Sequence, residues 1–233
     1  MYPTSTLYNA ILEDRRHRKE TKLEIGGVTY SQSQIVSAEI PPSGLFETFS
    51  IGNCVSRGIK VEIFPQGTIP RHAEIKAFVR LVLDDQYSEW IPQGVYFITG
   101  RRKNKKNGSL MVTAYDALLD ADETWLNSEY DEESWPMSED AAVNDIAHRL
   151  GVTVDARTTL KNLYLVDYPV DENGDLEMRE VLSGIAVANA GNFTMSLAGE
   201  LLLVPIAGLP DETNYLVDSF GNNILFGGDK IYV

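Results

Sequence analysis

Residues 90–116 constrain the fold more than any other stretch of the chain. Trp90-Ile-Pro-Gln-Gly-Val-Tyr-Phe-Ile98 and Leu110-Met-Val-Thr-Ala-Tyr-Asp116 are rich in aromatic and β-branched residues, and they flank the polar, basic run Arg101-Arg-Lys-Asn-Lys-Lys-Asn-Gly108. Two such runs around a turn ending in Asn-Gly predict two antiparallel strands joined as a hairpin. Pro92 lacks a backbone N–H and Gly94 tolerates unusual dihedrals, so Trp90 to Gly94 is expected to be a kinked lead-in outside the central ladder. Trp90 is the expected aromatic anchor at the hairpin's base.

The segments before this hairpin carry the same period. Leu23, Ile25, Val28 and Tyr30 around Gly26-Gly27 predict a tight hairpin, and Ile35, Val36, Ala38 and Ile40 predict a strand that ends at Pro41-Pro42. Gly58 to Phe64 alternates as a half-buried strand should. So does Ala73 to Leu83, with Ile75, Ala77, Val79, Leu81 and Leu83 on one face. Roughly six or seven strands then fall in under about a hundred residues, the density of a barrel or sandwich. Ahead of them, Leu7, Tyr8, Ile11 and Leu12 suit a helical turn or two in a surface leader reaching Lys22.

After Asp116 the pattern turns helical. Ser138 is placed as an N-cap for a stripe of Ala142, Val143, Ile146, Ala147 and Leu150, with Gly151 ending it. A second helix from about Leu176 to Ala190 would bury Met178, Val181, Leu182, Ile185 and Ala186 and stop at Gly191. Val152–Val154 and Tyr164–Val166 read as short strands, and Phe193–Leu197 with Glu200–Val204 read as a hairpin about Ala198-Gly199. Tyr215–Val217, Ile224–Phe226 and Lys230–Val233 return to strand. The expected class is α+β, mainly β: an N-terminal β-barrel or sandwich, a small α+β domain with two helices, then a few C-terminal strands. The expected division is a leader at 1–22, a barrel at 23–120, an acidic linker at 121–137, the α+β domain at 138–208 and C-terminal strands at 209–233.

Charge narrows the partners. Thirty-four acidic against 20 basic residues give a net charge of −14, which opposes general binding to nucleic acid or anionic membrane. The distribution is uneven: nine residues between Asp120 and Asp140 are acidic and none is basic, whereas Arg15–Lys19 and Arg101–Lys106 are basic clusters. Opposite patches can set docking register between subunits or neighbouring proteins. The single cysteine, Cys54, excludes an intramolecular disulfide and fits a reducing cytoplasm, and no apolar run has the length of a membrane span.

Catalytic and metal-binding patterns are thin. His17, His72 and His148 are scattered, and His72-Ala-Glu74 lacks the paired cysteines a zinc deaminase site requires. Asp171-Glu-Asn-Gly-Asp175 resembles a calcium loop, but Leu176 and Leu182 stand where the loop glycine and glutamate belong, so it reads as a solvated turn. Cys54 has no sequence-local base. Nothing points to a cofactor or to catalysis. Trp90, Tyr96 and Phe97 are expected in the core, whereas Trp125 and Trp135, large apolar groups among carboxylates, either pack against the barrel or contact a partner, and they are the candidates for a sugar platform.

The string Trp90-Ile-Pro-x-Gly-x-Tyr-Phe-Ile, closed by Ala114-Tyr-Asp-Ala-Leu-Leu119, resembles the tail hub proteins of siphophages, prophages and tail-like injection particles. The likeness extends to Ile35-Val-Ser-Ala-Glu39 and Phe49-Ser-Ile-Gly52, and downstream to about Pro205. It implies a non-enzymatic structural component of a tail tip or baseplate hub, a trimer whose barrels form a ring continuing the tail tube. The implied location is a virion tail or phage-like particle, made in the bacterial host cytoplasm. The implied neighbours are tube, distal tail, spike or tape-measure proteins. The α+β unit would then precede a second barrel, begun by residues 211–233. The structural motif is Trp90, Pro92, Gly94, Tyr96, Tyr115 and Asp116, and the candidate interface is Arg101, Arg102, Lys103, Lys105, Lys106, Trp125 and Trp135. The alternatives are a carbohydrate-binding module at the tail tip and the hub portion of a tail-associated cell-wall hydrolase.

Overall fold

The computed structural model describes residues 3–40, 50–126, 135–161, 164–171, 174–206, 225–226 and 229–230. Phe49, Pro41-Pro42, the middle of the acidic stretch and the expected strand Tyr215–Val217 lie outside the described residues.

The chain starts with α1 (Thr6–Glu13), capped by the Ser5 hydroxyl, which accepts from Tyr8 N at 3.0 Å. Ile11 is its buried residue. Strand β1 (Arg18–Ile25) begins four residues before the expected change of period, so Arg18 and Lys19 are strand residues rather than part of a leader. It turns into β2 (Val28–Tyr30) through Gly26 and Gly27, whose φ of +55° and +83° give the two-residue turn that matches strand twist. β3 (Ile35–Glu39), β4 (Gly58–Ile63), β5 (Glu74–Leu83), the short β6 (Gln86–Tyr87), β7 (Ile91–Lys103) and β8 (Leu110–Tyr115) complete the sheet.

The sheet order is β2-β1-β5-β7-β8-β4-β3, with β6 beside β5 and every pairing antiparallel. Alternating direction along this order leaves β2 and β3 running in the same sense. Only four residues join them, in a turn closed by Gln34 N to Ser31 O at 2.9 Å, so the chain leaves β1 and takes up β4 within a short reach. The sheet must therefore curl into a half-barrel. Its inner face draws on every second residue: Leu23, Ile25, Ile59, Val61, Ile75, Ala77, Tyr96, Ile98, Val112 and Ala114 lie in one buried cluster.

Beyond β8 a 3-10 helix, Ala117–Asp122, leads into the α+β unit. This unit contains β9 (Met137–Ser138), α2 (Glu139–Arg149), β10 (Leu165–Val166), β11 (Val170–Asp171), β12 (Gly174–Asp175), α3 (Met178–Ala188), β13 (Gly191–Met195) and β14 (Leu201–Pro205). β15 (Leu225–Phe226) and β16 (Asp229–Lys230) form a C-terminal pair. The fold is thus α+β and mainly β. Ser138 caps α2, accepting from Ala141 N at 3.2 Å, and Gly151 follows it at φ +70°. α3 buries the five residues its spacing selects, but Gly191 does not stop it. The chain reverses at Ala190, which takes the left-handed conformation at φ +47°, and Gly191 is already in β13, where a Cβ would lie 2.9 Å from Val204 O.

The second core takes residues from outside the expected domain. Cys54, Ala117, Leu118, Ala121 and Trp125 join Ile146, Leu182, Ile185, Phe193 and Leu201 in one cluster. Ala121 and Trp125, in the stretch expected as a linker, are therefore core residues, whereas Asp122, Glu123 and Thr124 beside them are exposed. Thr124 bridges Glu177, and Met178 N donates to Glu123 O at 3.0 Å. β14 is edged by the turn after Val154, where Asp155 N donates to Leu201 O at 2.8 Å. Asp155 there receives two hydrogen bonds from the Arg157 guanidinium, at 2.8 and 2.6 Å.

Two stability experiments follow from these contacts. Trp125 is wholly buried, whereas Trp90 is only partly so. Trp125→Ala is expected to lower unfolding free energy in urea by about 3–5 kcal/mol and Trp90→Ala by about 1 kcal/mol, the reverse of the ranking the sequence implies. The Arg157 hydrogen bonds hold the Asp155 carboxyl at about 2, below its ordinary 3.8. A depressed carboxylate contributes stability above its unfolded pKa and loses it as pH falls through the folded one. Arg157 is 55% exposed, so screening limits the effect. Asp155→Asn is expected to cost about 1 kcal/mol near neutral pH, and the gap in urea midpoints should close between about pH 4 and pH 2.

Candidate assembly surfaces

The hairpin's start is a bulge inside the ladder, which corrects the expectation of a kinked lead-in outside it. Ala77 pairs with Gly94 and Phe78 with Pro92, so Gln93 is the extra residue. The Gln93 carbonyl accepts from the Tyr96 hydroxyl at 2.9 Å. Tyr96 folds back over the bulge, and a Cβ at position 94 would lie 2.6 Å from its hydroxyl oxygen. Gly94 is at φ +133°, a conformation that side chains rarely adopt. Pro-x-Gly-x-Tyr is therefore a self-contained device: the proline loses no ladder donor that matters, the glycine makes room, and the tyrosine satisfies the bulged carbonyl. Burial raises the Tyr96 hydroxyl above its ordinary value.

Trp90 is not the core anchor. It lies half-buried on the outer face, with the Arg80 guanidinium 4.5 Å and the Lys22 ammonium 5.4 Å from its ring centroid. Arg80 also lies 4.3 Å from the Tyr87 ring and donates twice to Glu20, at 3.0 and 2.7 Å. These contacts make a cation–π stack on a solvated face.

At the other end of the hairpin, Tyr115 covers Gly58, where a Cβ would meet its ring at 2.9 Å. Asp116 is 2% exposed and accepts from Ser56 Oγ at 2.8 Å, Arg57 N at 2.9 Å and Leu118 N at 3.2 Å, capping the 3-10 helix. The Arg57 guanidinium lies 3.7 Å away and donates to Met195 O at 2.7 Å. Burial raises the Asp116 carboxyl above its usual value, outweighing the Arg57 and Ser56 hydrogen bonds and the Arg57 charge. Arg179 extends the junction, donating to the carbonyls of Cys54 and Leu118 and pairing with Asp122. Sequence reading missed Arg57 and Arg179. Their partners lie about 60 to 140 residues away in the chain, beyond any local pattern.

The basic run is divided between strand and turn. β7 continues through Lys103, so only Asn104 to Ser109 form the turn, closed by Asn104 N to Ser109 O at 2.8 Å. Arg101, Arg102, Lys103, Lys105 and Lys106 are all exposed. Arg101 pairs across the ladder with Val112 and Lys103 with Leu110, which places both on the inner side at the half-barrel's mouth, while Arg102 shares the outer row with Met111.

Trp125 is no interface residue. Its Nε1 donates to Asp145 at 2.6 Å, and Trp135 meets it edge to face at 4.9 Å. Trp135 reaches the surface beside Tyr168, with ring centroids 6.0 Å apart, and Tyr164 is 65% exposed in the same region. Cys54 is buried, and burial pushes its thiol up to about 12, against thiolate chemistry. Among the described residues no three His, Cys, Asp or Glu side chains converge as a metal site.

No protein-family model matches the chain, and no curated protein matches it. Its fold is similar to that of the 43 kDa tail protein of prophage MuSo2 from Shewanella oneidensis, with a TM-score of 0.51, 12% identity, and coverage of 89% of this chain and 61% of that one. It is also similar to the tail protein of Neisseria meningitidis MC58, with a TM-score of 0.52, 14% identity, and coverage of 88% and 58%. The chain thus spans about three fifths of each. At these identities the likeness is one of fold.

The bulge generates a mutational prediction. Gly94→Ala forces both a strained φ and displacement of Tyr96, and is expected to cost about 2–4 kcal/mol in urea unfolding. Gly67→Ala, in open space at φ +111°, carries only the backbone term and should cost about 1 kcal/mol. Equal costs would show that Tyr96 does not hold the bulge.

Proposed function

We propose that this chain is a structural component of a phage or prophage tail tip or baseplate hub, acting by assembly rather than by catalysis. Its half-barrel packs beside copies of itself in a trimeric ring that continues the tail tube. The protein resides in the virion tail or a tail-like particle, with tube, distal tail, spike or tape-measure proteins as neighbours. The observation that carries this reading is the fold likeness to two tail proteins over nearly nine tenths of the chain. The buried thiol and the scattered histidines, of which His72 and His148 are exposed, favour an architectural role as well. In this reading the bulge at Pro92 to Tyr96 and the junction at Tyr115 and Asp116 hold the hairpin rigid, and the basic hairpin end meets a neighbour.

A second reading, glycan binding at the tail tip, draws on Trp135, Tyr168 and the exposed Tyr164 in place of Trp125. It requires glycan-array binding that Tyr164→Ala and Tyr168→Ala abolish.

The main reading is tested by light scattering across a range of protein concentrations, followed by imaging. A mass that climbs to three chains, and rings with a central hole, are the expected results. A strict monomer at every concentration rejects a ring built from this chain alone.

A further inference from the structure

The two charged ends of this molecule lie at opposite ends of one strand. At the N-terminal end of β8, Arg101, Arg102, Lys103, Lys105 and Lys106 project from the hairpin. Arg71 lies on the neighbouring loop, whose Ile69 carbonyl accepts from Arg101. Among the described residues none of these six cations makes an ion pair, although 14 more acidic than basic residues are available in the chain. The nearby Glu62 is engaged by Ser109 and Asn104 instead. The other basic cluster differs, since Arg16 pairs with Asp14 and Arg18 with Glu20.

At the C-terminal end of β8 the sign reverses. The 3-10 helix begins two residues after Tyr115 and exposes Asp120 and Asp122, with Glu123 following. The Thr124–Glu177 bridge brings the start of α3 alongside, with Glu177 and the exposed Glu180, whose carboxylate accepts from Glu177 N at 2.9 Å. Arg179 is the basic residue in that first turn of α3, and it is held by Asp122 and two carbonyls.

Six residues of strand separate the two ends by roughly 20 Å, more than twice the screening length of about 8 Å at physiological salt. The poles therefore cannot neutralise each other within one chain, but the poles of two chains can. We propose that the basic hairpin end of one copy seats on the acidic end of a second copy, on the surface of Asp120, Glu123 and Glu180. This rests on the assembly reading above and specifies its contact: a heterologous, head-to-tail interface rather than a two-fold one. Such an interface closes into a ring when the rotation per step permits. Complementary fields of this kind set docking rate and register, and salt weakens them.

The test uses the full chain and three variants: Lys105→Glu with Lys106→Glu, Asp120→Lys with Glu123→Lys, and all four changes together. The side chains changed are exposed and lie outside both cores, and circular dichroism verifies folding. By sedimentation, the unaltered protein should associate at about 50 mM NaCl and weaken about tenfold or more by about 500 mM. Each pair of reversals should abolish association, and the fourfold variant should restore it. Association that ignores salt and all the reversals overturns this contact while leaving a ring through other surfaces standing. A monomer under every condition overturns the contact and the self-assembled ring together. Binding of a short DNA duplex by the unaltered monomer, lost in Lys105→Glu with Lys106→Glu, would make nucleic acid the occupant and reject the second copy.

Discussion

The segment from Gly52 to Arg57 is the constraint on which the remaining structure depends. Its backbone runs along β13: Gly52 N donates to Gly191 O at 2.9 Å, Phe193 N to Asn53 O at 2.8 Å and Val55 N to Phe193 O at 3.3 Å. It then becomes β4 and enters the half-barrel. One continuous piece of chain therefore belongs to both cores, and its polar groups are satisfied by whichever it is crossing. The Arg57–Asp116 pair sits where it crosses. A buried ion pair is weak evidence for stability, because desolvation offsets most of its attraction. Its contribution here is positional. Asp116 gathers donors from residues 56, 57 and 118, and Arg57 reaches the end of β13, so the pair fixes three elements at one point.

That junction decides which parts of the sheet face water. Phe97 and Tyr115 pair across β7 and β8 on the outer side, the side an isolated half-barrel would leave solvated. Phe97 instead packs against the second core. Farther along the same outer face, beyond the cover of the α+β unit, Phe78 and Trp90 are accompanied by Lys22 and Arg80. The aliphatic stems and cationic heads of these residues let aromatic rings remain on a wet surface without an apolar patch. One face of one sheet thus follows two rules, and the boundary between them is the footprint of the second unit.

This explains what the sequence made legible and what it did not. Period-two alternation located all the main strands, because each buries one face in the half-barrel. Gly26-Gly27 and Ser138 marked a turn and a cap that depend only on neighbouring residues. Trp125 is ambiguous in the sequence, since a tryptophan among carboxylates fits packing and a partner contact alike, and the Asp145 that accepts its N–H comes from α2, 20 residues on. Trp90 misleads because its cations come from β1 and β5, which the hairpin pattern does not contain. The expected end of α3 at Ala190 lies two residues beyond the observed end at Ala188, since Ala190 bears the left-handed turn and Gly191 is needed for close approach to β14. Arg57 and Arg179 could not be singled out, because neither has a local signal and each acts on carbonyls brought near only by the finished fold.

The same reasoning bears on how far a fold likeness reaches. At 12% and 14% identity, what is shared with the two tail proteins is an arrangement of strands and helices. Such an arrangement is set by alternation, bulges and buried joints, which many different side chains can supply. It constrains the interior and leaves surface charge free. Shape alone therefore cannot select a partner for this chain; the selecting features must be those that the fold does not require. The cations of the hairpin end, unpaired among the described residues, meet that condition, since removing their charge would disturb neither core. Among the described residues six cations stand unpaired on a chain with 34 carboxylates, which sacrifices available local attraction. The arrangement is coherent if the missing counter-charges arrive on another molecule.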